Sequence, residues 1–485
     1  MRSIVEIEKD KIKKDFPQDF LWGVAISAKQ AEGIQNRAIT VADLQDYNPN
    51  DKTKVKGDLT QKEIMDRLKN PNKYIFPKKI GINFYNNYKK DIALLSEMKI
   101  KTFRMSISWA RIFPDGIDEE VSEEGLMYYD RVFDELLKRN IVPIVTLYHD
   151  DMPVETALKY NGFSDKKVVD SFVNYAVLVM SRYKEKVKYW IPVNQINLIR
   201  VGLSSLGVIK DNVINLENAK YQGVHNKFIA CALIVEKGKK INPNFQFGSM
   251  LADFLVDPHT CKPEDIALAT EKNQMTMYFY SDVQLRGEYP NYALTYFKVN
   301  NINIETNREE MNLLKNNPLD FLAISYYNSN VVSAEKNSVS IGDSIMNPYL
   351  TANEWGWTVN PLGLYVGLVK YWDRYQKPLM IAENGFGHVE VLDTENKIHD
   401  DYRIQYLGDH INAIRKAICK GVNVFAYCAW SPIDMVSSGT SEMKKRYGFI
   451  YNDLNDFGEG SNIRFKKDSF YWYKKVIESN GKDLD

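Results

Sequence analysis

"PLMIAENG", residues 378–385, is an apolar run that ends on one carboxylate, Glu383, followed by Asn-Gly. Consecutive apolar side chains without polar alternation describe a strand covered on both faces, the habit of parallel sheets. Asn-Gly supplies a sharp turn, so the acid stands at the strand's C-terminal end. Seven further runs share this form: "FLWGVAIS" (20–27), "IKTFRMSIS" (100–108), "VPIVTLYH" (142–149), "KYWIPVNQ" (188–195), "FQFGSMLA" (245–252), "LDFLAISYY" (319–327) and "VNVFAYCAW" (422–430). Helix-spaced stretches lie between them, such as "FYNNYKKDIALLSEM" (84–98) and "YDRVFDELLKRN" (129–140). Eight strand–helix repeats predict an α/β fold, a (β/α)8 TIM barrel. No repeat or Pro/Gly/Ser linker divides the chain, which predicts one domain over 1–485 with 1–15 as an N-terminal extension. An open doubly wound sheet is the competing architecture, but it leaves edges that a closed barrel does not.

Composition narrows the class. Of 485 residues 44% are hydrophobic, enough for a large core, and Lys+Arg balance Asp+Glu at 63 each. A net charge of zero provides no global field for nucleic acid or an anionic membrane, so an anionic ligand has to be held locally. Cys231, Cys261, Cys419 and Cys428 show neither CxxC nor metal-ligand spacing, which predicts a reduced, cytoplasmic protein without a metal. The opening "MRSIVEIEKDKIKKDF" carries no apolar segment of signal type, and no run reaches about 18 apolar residues. Neither secretion nor membrane insertion is expected, and a homo-oligomer stays open.

The eight runs end on Ser27, Ser108, His149, Gln195, Tyr327, Glu383 and Trp430 in seven cases. A barrel gathers its strand C-termini around one mouth, where the active site forms. Polar and aromatic ends collected there suit a sugar. Glycoside cleavage with retention uses a carboxylate nucleophile and, about 5–5.5 Å away, a carboxylic acid for the leaving oxygen. Glu383 fits the first role. Its counterpart at the end of the fourth run, in "VNQIN" (193–197), is the carboxamide of Gln195.

"FPQDFLWGVAISAKQAEG", "KTFRMSISWARIFPDG", "VTLYHDDMP", "KYWIPVNQIN", "ISYYNS" and "MIAENGFG" together resemble family 1 glycoside hydrolases, from about residue 16 to about 475. Within that family "IDMVSSGTSEMKKRYGFIYND" (433–453), "VQLRGEYPNYALTYF" and "INPNFQFG" are similar to the bacterial 6-phospho-β-glucosidases. The resemblance implies Glu383 as nucleophile, with Arg104 and Tyr327 favouring its ionised form. It implies Gln30, His149 and Asn194 as hydrogen-bonding partners of the sugar, Trp430 as the floor under its ring, and Trp355 as a further aromatic near the mouth. Relatives acting on plain sugars carry a glutamate after the eighth strand. This chain has Ser437 and Ser438, then Lys444, Lys445 and Tyr447. A phosphoryl group of about −1.5 to −2 charge would be repelled by a carboxylate and bound by hydroxyls and an ammonium. Ser437 or Ser438, Lys445 and Tyr447 are therefore the phosphate ligands that the resemblance implies. The expected partner is a phosphorylated β-glucoside, with no cofactor, and a small residue after Ser437 favours 6-phosphoglucosides over 6-phosphogalactosides.

The chain also departs from the family pattern. The family pattern at 194–195 is Asn-Glu, and here it is Asn194-Gln195. An amide neither gives a proton to a leaving group nor takes one from water, a function worth about 10²- to 10⁴-fold. Three accounts stand beside one another: an exchange introduced to trap intact substrate, a thioglucosidase-like solution that needs no acid, and a phospho-sugar-binding pseudoenzyme. In addition Asp150 follows His149 where an aromatic residue is usual, "YNGF" (160–163) replaces a Gly-Gly-Trp-like turn, and Lys79 and Asn83 replace a His and an Asp. Asp150 is expected to open a wall of the sugar subsite and to place an uncompensated charge beside it.

Overall fold

The computed structural model describes residues 15–50, 58–117, 120–335 and 344–484. Of the expected N-terminal extension only Asp15 falls among them. Eight parallel strands close into a barrel: β1 (Leu21–Ala25), β2 (Thr102–Ser106), β3 (Val142–Tyr148), β4 (Tyr189–Val193), β5 (Gln246–Ala252), β6 (Phe321–Tyr326), β7 (Leu379–Asn384) and β8 (Val424–Trp430). Each coincides with one of the eight apolar runs. Closure is made by β1 against β8, with Leu21 opposite Ala426 and Ala25 opposite Trp430. Where β1 meets β2, Gly23 lies so close to its neighbour that a Cβ would fall 2.3 Å from the Thr102 carbonyl oxygen. Only glycine fits that approach.

Helices cover the outside: α1 (Phe84–Glu97), α2 (Glu123–Lys138), α3 (Lys166–Arg182), α4 (Leu216–Ile241), α5 (Phe279–Arg286), α6 (Pro361–Tyr375), α7 (Asp401–Cys419) and α8 (Asp468–Glu478). α2 shows why they form. Ser122 caps its start by accepting from the Gly125 amide at 3.1 Å, and Leu126, Tyr129, Val132, Phe133 and Leu136 recur at helical spacing on its buried face. Each such side chain contributes about 1.5–3 kcal/mol by leaving water.

Two local devices set the mouth. Strand β7 shifts register against β6 between Ile381 and Glu383, and a bulge there re-aims the carboxylate. After β8 the peptide between Trp430 and Ser431 is cis, and the chain runs through 431–448 over a buried ionic scaffold. Asp434 accepts from the Gly448 amide (2.8 Å), Lys467 (2.9 Å) and Arg446 (3.2 Å). Arg403 donates to the carbonyls of Phe386 (2.6 Å) and Tyr447 (2.8 Å) and pairs with Glu390. Removing one partner from such a network costs about 3–5 kcal/mol, so the segment that carries Ser437, Lys445 and Tyr447 is held rigidly.

Candidate active site

The C-terminal ends of the strands surround a cavity of about 490 Å³. Glu383 lines it, 3% exposed, and its carboxylate accepts from three side chains, those of Arg104, Tyr327 and Gln195. Arg104, from β2, donates from Nη1 to Oε1 at 2.5 Å, and the Tyr327 hydroxyl donates to Oε2 at 2.7 Å. Arg104 is itself fixed, donating from Nη2 to Asn194 Oδ1 (2.7 Å) and to Thr146 Oγ1 (3.0 Å). Burial, and then the charge of Glu383, push the Tyr327 phenol well above its ordinary pKa, so it stays a donor.

Gln195 faces this group directly. Its Nε2 donates to Ser325 Oγ at 2.5 Å and lies 3.3 Å from Glu383 Oε2. Its backbone is left-handed, φ 38°, a conformation that costs a non-glycine residue roughly 1–2 kcal/mol. Strain tolerated at a strand end points the side chain across the mouth, and such strain clusters at functional sites. The group that faces Glu383 is thus a carboxamide, which has no acidic proton to release.

The other expected sugar contacts gather around the same floor. His149, 4% exposed, lies over Trp430 with ring centroids 6.2 Å apart. Burial, with smaller effects of Lys29 and Arg104, drives its pKa well below the ordinary value, leaving a neutral imidazole suited to a hydroxyl. Gln30 accepts from Ser27 Oγ (2.6 Å) and donates to the Val436 carbonyl (2.7 Å), which ties the first strand end to the segment after β8. Asn194, Trp430 and Gln30 all line the cavity.

The segment after β8 forms one wall. Ser437, Ser438, Lys445 and Tyr447 line the cavity, with no carboxylate lining it between 437 and 447. Lys445 is 3% exposed, its ammonium 3.7 Å from the ring centre of Trp357 and 4.9 Å from that of Trp355. Lys444 does not line the cavity and pairs instead with Glu442 at 3.0 Å and Asp456 at 3.8 Å. Burial pushes the Tyr447 phenol well above its ordinary pKa, so it too remains a donor.

Several expectations need correction. Ser27 and Ser108 end their runs but do not line the cavity; they precede the short helical turns 28–31 and 109–112. Trp355 does line the cavity, beside Lys445, and its indole N–H donates to Glu442 at 3.2 Å. The charge of Asp150 is compensated: Lys29 approaches it at 3.7 Å. Trp357, Ser325 and Lys29 line the cavity as well, and Thr146 holds Arg104 from behind; no sequence motif singles these four out. A second tryptophan two residues after Trp355 was the one available signal.

Residues 12–482 match the model of glycosyl hydrolase family 1. The aryl-phospho-β-D-glucosidase BglH of Bacillus subtilis is 43% identical, over 97% of this chain and 99% of its own. A 6-phospho-β-glucosidase of Clostridium longisporum is also 43% identical, covering 97% and 98%. The 6-phospho-β-glucosidase AscB of Escherichia coli is 39% identical, covering 97% and 99%. Among solved structures a family 1 β-glucosidase from Thermotoga maritima superposes with a TM-score of 0.83 at 27% identity, over 97% of this chain and 99% of that one.

Proposed function

Since the chain belongs to glycosyl hydrolase family 1, we propose that it acts on 6-phospho-β-D-glucosides by a retaining mechanism in which Glu383 is the nucleophile and the acid/base position is held by Gln195. The observation that carries this reading is one cavity lined both by the Glu383–Gln195 pair and by Ser437, Lys445 and Tyr447. The names of the relatives support the phosphorylated substrate class.

In the first step Glu383 attacks the anomeric carbon and the glycosidic bond to the leaving oxygen breaks. Arg104 and Tyr327 hold the carboxylate and aim it through their hydrogen bonds, while His149, Asn194 and Gln30 take the ring hydroxyls above Trp430. Gln195 donates no proton, so the electron pair departs with the leaving group, and only a stable anion leaves quickly. In the second step water meets no general base, and the glycosyl–enzyme turns over slowly. A phosphorylated disaccharide, whose leaving group is a sugar alkoxide, is the hardest case. The same logic favours a thioglucosidase-like reading, since a thiolate departs without a proton. A dianionic sugar does not diffuse through a bilayer, so the reading places the reaction inside the cell. Among the described residues no helix is long and apolar enough to cross a membrane.

The test is Gln195→Glu assayed with 4-nitrophenyl 6-phospho-β-glucoside beside the unphosphorylated compound. Fast turnover restricted to the phosphorylated compound is expected. A folded variant inactive on both would leave only a sugar-binding role.

A further inference from the structure

Behind the wall after β8 lies a lysine that the mechanism does not use. Lys78 is fully buried. Its ammonium donates to the Ser438 carbonyl at 2.7 Å and to the Gln45 side-chain oxygen, both uncharged acceptors. The two carboxylates whose fields reach it, Asp43 and Asp150, are held elsewhere, by Arg37 at 2.6 Å and by Lys29 at 3.7 Å. A buried ammonium whose direct partners are neutral is expensive, and an expensive group directly behind a cavity wall calls for a function. Burial, then the neighbouring Lys29, drive its pKa well below the ordinary value. A dianion nearby would act in the opposite sense.

The carbonyl that Lys78 holds belongs to the peptide joining Ser438 to Gly439. In a trans peptide the C=O and the N–H point in opposite directions. With the Ser438 oxygen drawn back to Lys78, the Gly439 N–H is turned to the other side, where Ser438, Gly439 and Thr440 line the cavity. The same stretch is tied down again by Ser441 Oγ, donating to the Gln45 carbonyl at 3.0 Å.

Resting on the phosphate reading above, we infer that the Gly439 amide is a ligand of the substrate's phosphoryl group, and that Lys78 is the residue that orients this amide and supplies part of the dianion's counter-charge from behind the loop. The phosphate is then gripped by side chains from 437 to 447 and by a backbone dipole locked from outside the cavity. The loop's backbone thereby contributes to selectivity beside the side chains of "SSGTSEMKKRY" (437–447).

Calorimetry with glucose 6-phosphate and with glucose tests it on the full chain. Lys78→Met is expected to reduce the ratio of the two affinities by about tenfold, the effect of one lost charge-assisted contact, while Lys78→Arg restores most of it. Where Lys78→Met does not fold, Lys78→Gln takes its place with the same expectation. With glycine-selective isotope labelling, the Gly439 amide proton should move downfield with glucose 6-phosphate and not with glucose. An unchanged ratio in Lys78→Met, an equal loss for both sugars, or a Gly439 amide indifferent to the phosphate overturns the inference. Lys445→Ala separates this failure from that of the function: a ratio that falls in Lys445→Ala but not in Lys78→Met removes Lys78 alone. Equal affinities for the two sugars in the unmodified chain would remove the phosphate reading itself.

Discussion

Replacing Lys445 by methionine tests the phosphate wall where its electrostatics are strongest. The ammonium is buried among Trp355, Trp357 and Tyr447, so water screens it little. Two unit charges about 4 Å apart at an effective dielectric near 20 interact by about 4 kcal/mol. Part of that is offset, because methionine relieves the cost of burying the ammonium and Ser437 and Tyr447 remain in place. A net loss of about 2–3 kcal/mol is left, or about 30- to 150-fold. The assay is the ratio of kcat/KM for 4-nitrophenyl 6-phospho-β-glucoside to that for 4-nitrophenyl β-glucoside, measured with Gln195→Glu as the parent. The ratio should fall by that factor through KM, with kcat on the phosphorylated compound little changed. A ratio within about threefold of the parent's, in a variant of unaltered melting temperature, would refute the electrostatic argument and move the phosphate off this wall.

Other consequences are as direct. Tyr327→Phe removes the donor 2.7 Å from Glu383 Oε2; a hydrogen bond to a charged group is worth about 1.5–3 kcal/mol, so formation of the glycosyl–enzyme should slow by about ten- to a hundredfold in stopped flow. Asp434→Ala removes the carboxylate shared by Lys467 and Arg446, leaving Lys467 with Glu390 alone and Arg446 with backbone carbonyls only, and should cost about 3–5 kcal/mol in chemical denaturation. Asp151 is buried and its pKa is raised to about 6, chiefly by desolvation. A carboxyl whose folded pKa lies above its unfolded value stabilises the fold below the unfolded pKa and loses that contribution as pH rises through the folded one. Stability should therefore fall between pH 4 and 6 on this account, and Asp151→Asn should flatten the slope, by about 3 kcal/mol over that window.

The barrel was legible because parallel strands covered on both faces must be continuously apolar, and eight such runs leave little choice of architecture. Much of the site was legible for a related reason: strand C-termini converge, so residues such as His149, Gln195 and Glu383 announce themselves by position. What stayed hidden depends on contacts between distant segments. Lys29 reads as one more polar residue of a short helix until Asp150, 121 positions later by their numbering, is folded against it. Lys78 sits in "FPKKIG" beside Lys79 and looks like half of a solvated pair. Only the chain's return after β8 buries it against Ser438. Ser27 and Ser108 mislead in the opposite direction, since a polar strand end can equally well start a helical turn.

The central claim, a nucleophile at 383 opposite an amide that cannot act as acid or base, is tested most directly by trapping the intermediate. The chain is mixed with 2,4-dinitrophenyl 6-phospho-β-glucoside, whose leaving group needs no proton, and then digested for mass spectrometry. A 6-phosphoglucosyl adduct should accumulate on Glu383 and decay slowly, and Gln195→Glu should abolish its accumulation by speeding hydrolysis. Release of the phenol with no adduct, or an adduct on another residue, would contradict the account.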